Sequence, residues 1–220
     1  MLDIIIPIYN EEKILIERED YFRTLARKAR VIFIDGQSTD RSRQVASGYA
    51  DVLSSPRGRG IQKDAGGRYL TGENLMFLHA DTTISPEALG KVEAALENGT
   101  DYGCLTLAID DPAGIFKAFG AVVNFRARYC HVIDGDLGLF VKRAVYQRAG
   151  GFAPLPYMED IELSGRLRKC GKAAILPEEI RVSSRKWKEQ GFCPTLLRYA
   201  RAYGELWTGA LARKAEAGDE

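Results

Sequence analysis

The chain has 220 residues, with 31 Lys and Arg against 30 Asp and Glu, a net charge of +1 and 45% apolar residues. That length fits one large domain, or one domain with a small appendage, and the balanced charge argues against a nucleic-acid-binding protein. Cys104, Cys130, Cys170 and Cys193 are too scattered for a disulfide frame or a zinc site, and no apolar run approaches the ~18–20 residues of a membrane span.

Leu2–Pro7 is an apolar run that predicts a central buried strand. Pro7-Ile8-Tyr9-Asn10 ends it, and Asn10 is placed to cap a helix that opens on Glu11 and Glu12 and runs to about Ala29. Val31–Ile34 is a second buried strand. It ends in Asp35-Gly36-Gln37-Ser38-Thr39-Asp40, where Asp40 or Ser38 caps the next helix. Right-handed crossovers between such strands predict a parallel sheet. Ala50–Ser54 is a short third strand. The basic, glycine-rich stretch Pro56–Gly67 then runs into a helix, which suits a phosphate group and equally a surface turn.

Leu75–Leu78 is a further buried strand, and the polarity reverses at His79, Ala80 and Asp81. Ligands of open α/β sheets bind beyond the carboxyl ends of the strands, and alternate residues share a side. His79 and Asp81 could therefore reach one divalent ion, with Mn²⁺ suited better than Mg²⁺ by the imidazole; a solvated turn before Pro86 is the other reading. Pro86–Glu97 predicts a helix, Tyr102–Ile109 a strand, Ala113–Cys130 a longer helix and His131–Lys142 extended structure. Met158–Leu163 opens a helix that ends near Gly171. Ala173–Leu176 and Ile180–Ser183 predict two short strands, and Thr195–Ala212 an amphipathic helix.

Eight stretches, in order, resemble family 2 glycosyltransferases. They are IIPIYNEE (Ile5–Glu12), DGQSTD (Asp35–Asp40), GRGIQKDAG (Gly58–Gly66), FLHADT (Phe77–Thr82), GDLGLFVKR (Gly135–Arg143), GGF (Gly150–Phe152), MEDIELSGRL (Met158–Leu167) and SSRKW (Ser183–Trp187). The set is most similar to a small bacterial subgroup, the radical-SAM/selenodomain-associated transferases. The resemblance implies an α/β fold of the GT-A type: a Rossmann-like, mostly parallel sheet flanked by helices. Residues 1–192 would form that domain, and residues 193–220 a C-terminal helix and charged tail. It further implies inverting transfer of a sugar from a nucleoside-diphosphate sugar, a uridine one by preference, to an acceptor that the sequence does not name.

On this resemblance Ile8, Tyr9, Glu11 and Asp35 lie where the family holds the base and ribose. Arg59 and Lys63 lie near the nucleotide and diphosphate. Asp81 matches the last Asp of the metal-binding DxD motif, while His79 replaces the first. Asp160 matches the general base, with Glu159 beside it; both also suit the first turn of a helix as dipole-facing charges. Asp136 is a candidate acceptor contact or a turn residue. Arg185 and Trp187 fall where relatives close a loop over the diphosphate. The last helix, with Tyr199, Tyr203 and Trp207 among basic residues, could pack on its own domain, pair with a second copy or lie on a membrane surface. No signal peptide precedes Ile4, so the expected location is the cytoplasm, extending to the inner membrane surface. The rival readings are a nucleotide-sugar sensor without turnover and a sugar-nucleotide pyrophosphorylase; the latter needs a glycine-rich loop where Pro7–Glu11 stands.

Overall fold

The computed structural model describes residues 1–184 and 191–211. An eight-stranded sheet runs in the order β3-β2-β1-β4-β7-β6-β8-β5. Its strands are β1 (Leu2–Ile8), β2 (Arg30–Asp35), β3 (Asp51–Ser54), β4 (Asn74–Phe77), β5 (Thr82–Ile84), β6 (Tyr102–Ile109), β7 (Phe140–Lys142) and β8 (Ala173–Val182). The helices are α1 (Glu12–Glu17), α2 (Glu19–Lys28), α3 (Ser42–Ser47), α4 (Arg59–Tyr69), α5 (Pro86–Glu97), α6 (Gly114–Cys130), α7 (Arg143–Arg148), α8 (Glu159–Leu167) and the C-terminal helix Phe192–Trp207.

β1 is buried along its whole length, and its alternation divides the core. Ile4, Ile6 and Ile8 pack with Leu15, Phe22 and Leu25 of α1 and α2 and with Val92 and Leu96 of α5. Ile5 faces the opposite layer, with Val123 of α6, Val145 of α7 and Leu163 of α8. Helix α4 approaches the sheet closely: a methyl group on Gly66 would lie 2.5 Å from a side-chain carbon of Ile5.

The sheet is mixed, mostly parallel as the resemblance implied but not the purely parallel one that the crossover rule alone predicts. β1 to β4 are joined by parallel pairings, but β7 runs antiparallel to both β4 and β6, and β5 antiparallel to β8. The expected helix from Glu11 to Ala29 is two helices that meet at Arg18. Asn10 does not cap it. It takes a left-handed backbone, φ 53°, and its side-chain oxygen accepts from the Thr39 amide at 2.9 Å. Residues 131–142 are extended only over β7 and contain a 3₁₀ turn at Gly135–Leu137, while α7 and β5 had no sequence signal. The two expected strands after Gly171 are one strand, irregular where it pairs with Cys104 and Thr106. Helix α5 matches its expected bounds. Ser85 caps it through the Ala88 amide, and Pro86 stands at its start, where a missing amide hydrogen costs nothing. Among the described residues, no helix is long and apolar enough to cross a membrane.

Candidate active site

The carboxyl ends of β1, β2 and β4 and the amino end of β7 share one edge of the sheet. Because β7 is antiparallel to β4, the segment before it arrives where the segment after β4 departs. Phe140 pairs with Met76, and the Phe77 amide donates to the Leu139 carbonyl at 2.8 Å. This brings Asp136, in the 3₁₀ turn, to His79 and Asp81. One ligand atom from each of the three lies within 4.8 Å of the others, so their donors could meet on one ion. Two carboxylates and an imidazole suit a divalent cation of the Mn²⁺ type. Asp136, expected as an acceptor contact, is thus brought into the metal cluster; a sequence distance of more than fifty residues hid the association.

Arg18, at the break between α1 and α2, holds the loop after β4 in place. Its guanidinium donates to the Ala80 carbonyl, to the Thr82 carbonyl at 2.7 Å and to the Thr83 hydroxyl. It also lies 4.6 Å from the centre of the Tyr21 ring. No motif drew attention to Arg18. The sequence carried no signal for it, since arginine suits a continuous helix and the helix was expected to run through it.

Next to the metal cluster stands a buried ion triad. Lys63 Nζ, on α4, donates to both oxygens of Asp160 at 2.7 and 2.9 Å and to Glu159 Oε1 at 3.0 Å. Lys63 is fully buried and its ammonium is engaged by these carboxylates, where the sequence placed it near the nucleotide. Glu159 and Asp160 open α8, whose positive end suits them. Burial disfavours both charges. At Asp160, burial and the neighbouring Glu159 carboxylate outweigh Lys63 and raise the pKa to about 7. At Glu159, burial is outweighed by the Lys63 charge and hydrogen bond, and the pKa falls. The two carboxylates titrate as one unit.

Gly135 joins triad and cluster. A methyl group built there would lie 2.3 Å from Asp160 Oδ2 and 2.9 Å from His79 Nε2, so only a glycine lets these side chains face one another. Arg59, at the start of α4, belongs to the same field: desolvation opposes its charge, but Glu159, Asp136, Asp160 and Asp81 outweigh this and raise its pKa. Tyr199 of the C-terminal helix closes another side. Burial, with Asp136 and Asp134 behind it, pushes its phenol up to about 12. That helix is fixed by a hydrogen bond from Tyr157 to Glu205 and by Arg126 of α6, whose guanidinium lies 5.2 Å from the centre of the Tyr203 ring.

The residues expected at a base pocket lie at the ends of β1 and β2. Ile8 and Asp35 are register partners. The Ile8 side chain is buried in the core, and its carbonyl accepts from the Gly36 amide at 2.9 Å and from Gln62 at 2.9 Å. Gln62, which carried no expectation, also donates to the Ile34 carbonyl at 2.8 Å and so ties the two strand ends together. Asp35 is buried and accepts from the Ser38 amide at 3.2 Å. Tyr9 is half-exposed with the Arg57 guanidinium 4.4 Å from its ring centre, and the Glu11 amide donates to Ser42 Oγ at 2.7 Å. Arg185 and Trp187 lie outside the described residues.

A family model described as Glycosyl transferase family 2 matches residues 3–120, just over half of the chain. The chain belongs to glycosyltransferase family 2. A curated family relative, the uncharacterized glycosyltransferase YaiP of Escherichia coli K12, is 24% identical over 217 residues, covering 85% of this chain and 54% of that protein. The chain thus spans about half the length of that relative. Among solved structures, S. aureus TarS in complex with UDP-GlcNAc is similar at a TM-score of 0.67 with 17% identity, over 83% of this chain and 58% of TarS. The mannosyltransferase PcManGT from Pyrobaculum calidifontis, in complex with GDP-Man and Mn²⁺, is similar at 0.63 with 18% identity, over 82% of this chain and 56% of its own. These likenesses bear on the fold, which is the GT-A arrangement expected from the sequence.

Proposed function

We propose that this protein is an inverting glycosyltransferase that moves a sugar from a nucleoside-diphosphate sugar, a uridine one by preference, to an acceptor hydroxyl. The observation that carries the reading is the convergence at Gly135, where the Asp160 carboxylate faces His79 while Asp136, next in the chain, joins His79 and Asp81. A leaving diphosphate and an attacking hydroxyl need opposite partners a few ångströms apart, and these groups supply them. Asp160 takes the acceptor proton as the acceptor oxygen bonds to the anomeric carbon. The bond from that carbon to the diphosphate oxygen breaks on the opposite face, which inverts the centre. His79, Asp81 and Asp136 would hold a divalent cation, Mn²⁺ before Mg²⁺, which when bound would supply neutralisation of the leaving diphosphate. Arg59 adds positive charge beside the same cluster, and Tyr9 and Asp35 line the base pocket. The named ligands of TarS and PcManGT, UDP-GlcNAc and GDP-Man with Mn²⁺, support a nucleotide-sugar donor. The motif order supports placement in the radical-SAM/selenodomain-associated subgroup.

The test separates donor binding from turnover. Asp160→Asn keeps size and hydrogen-bonding capacity but cannot take a proton. Calorimetry with UDP-sugars and Mn²⁺ should give a dissociation constant within about threefold of wild type. Transfer, followed by release of UDP with an acceptor panel, should fall about 10²–10⁴-fold. Undiminished transfer removes Asp160 from the mechanism, and absence of any nucleotide-sugar binding in the wild type removes the reading itself.

A further inference from the structure

Helix α6 exposes large apolar side chains along one line: Ile115 (49% exposed), Val122 (61%), Phe125 (61%) and Tyr129 (68%). At about 100° per residue they fall within an arc of about 80°, opposite the buried Phe116, Val123 and Ala127 that anchor the helix to the core. The Phe125 and Tyr129 rings lie together, with centroids 4.7 Å apart. The 17-residue helix has no acidic residue, and the exposed Lys117 and Arg128 flank the stripe near its two ends, about three turns apart. Arg168 adds a third cation there, since it is exposed and donates to the Cys130 carbonyl at the end of the helix. In a chain whose net charge is only +1, this is a local concentration of basic charge. Asp110 and Asp111 lie before the helix, at the end that carries Lys117, so it is Arg128 and Arg168 that coincide with Phe125 and Tyr129 at its C-terminal half. The C-terminal helix, which meets α6 through Arg126 and Tyr203, exposes Leu197 and Trp207 as well.

We propose that the outer face of α6 docks on an anionic lipid surface. Aromatic and aliphatic side chains flanked by cations, with no acid among them, match the boundary between acyl chains and acidic headgroups. A second copy of this chain fits less well. A two-fold contact between these faces would bring Lys117 and Arg128 against their equivalents, with no carboxylate on the helix to answer them. A stable dimer also needs about 800 Å² from each partner, and four side chains of one helix supply only a fraction of that. The proposal stands independently of the glycosyltransferase reading, since it uses no residue of the site.

The experiment is flotation of the purified chain with vesicles of phosphatidylcholine alone and of phosphatidylcholine mixed with phosphatidylglycerol. The chain should float with the mixed vesicles, and binding should weaken in high salt. Phe125→Ser with Tyr129→Ser should reduce the partition coefficient at least about tenfold while leaving the melting temperature near that of wild type. Lys117→Glu with Arg128→Glu asks the same question through charge, should the first variant not fold, and should abolish the preference for phosphatidylglycerol. No partition into the mixed vesicles overturns the proposal. So does equal partition into both vesicle types, or a dimer in light scattering that the serine variant converts to monomer without any vesicle binding.

Discussion

Lys63 illustrates how one buried charge can fix a functional geometry. Its ammonium meets two carboxylates with essentially no solvent access, so it cannot be removed without leaving those charges unanswered. Breaking a buried pair on one side costs about 3–5 kcal/mol, and Lys63→Met should therefore lower the unfolding free energy by that order. In the variant both carboxylates would bind protons more tightly when folded than when unfolded. The folded state is then favoured at low pH and loses that advantage as pH rises through the raised pKa values. The destabilisation measured by urea unfolding should accordingly be smaller at pH 5 than at pH 8. Adding Glu159→Gln and Asp160→Asn to Lys63→Met should restore most of the loss. A destabilisation indifferent to pH would mean that packing around Lys63, and not charge, carries the effect.

At the scale of elements, the loop after β4 depends on a helix break far from it in sequence. Arg18 donates to three oxygens of residues 80–83, and a side chain that orients a loop carrying candidate metal ligands would act on affinity through those ligands. Arg18→Ala should weaken Mn²⁺ binding, titrated calorimetrically in the presence of UDP, by about 10–100-fold. Unchanged affinity would show that β4 and β5 hold the loop unaided. The same elements show what a sequence can reveal. β1, β2 and β6 were legible because burial requires predominantly apolar runs, even with Asp3 inside β1 and Thr106 inside β6, and α5 because Ser85 and Pro86 mark its start. β5, of three residues, was not, since pairing with β8 makes it a strand and its own composition does not, while β7 fell within a longer stretch expected to be extended. Among site residues, His79, Asp81, Asp136, Glu159 and Asp160 could be named from local motifs. Their grouping could not, because Lys63 and Asp160 meet across 97 positions of chain, and Gln62 and Gly135 matter only through neighbours that folding brings.

Across the whole molecule, the family match ends at residue 120, yet Asp136, Glu159 and Asp160 all lie beyond it. The candidate site is therefore assembled from two stretches of chain. The first brings β1, β2, β4 and the arms of α4. The second brings the turn before β7 and the head of α8. β7 joins them where it pairs with β4 over Asn74, Leu75 and Met76, and β8 joins them again by pairing with β6 and β5. An ion gripped by His79 and Asp81 from one stretch and by Asp136 from the other would be a rivet through that seam. Ligand binding stabilises whatever state holds the ligand, so the seam should open less often when the ion is bound. Hydrogen exchange with and without Mn²⁺ should show slowed exchange in residues 79–84 and 134–142 together, with β2 and β3 unaffected. Protection of the first segment alone would leave Asp136 outside the coordination sphere. Cation supply would then govern local order as well as chemistry: starved of metal, the loop after β4 and the turn before β7 would loosen first, while the pairing of β8 with β6 and β5 keeps the two stretches together.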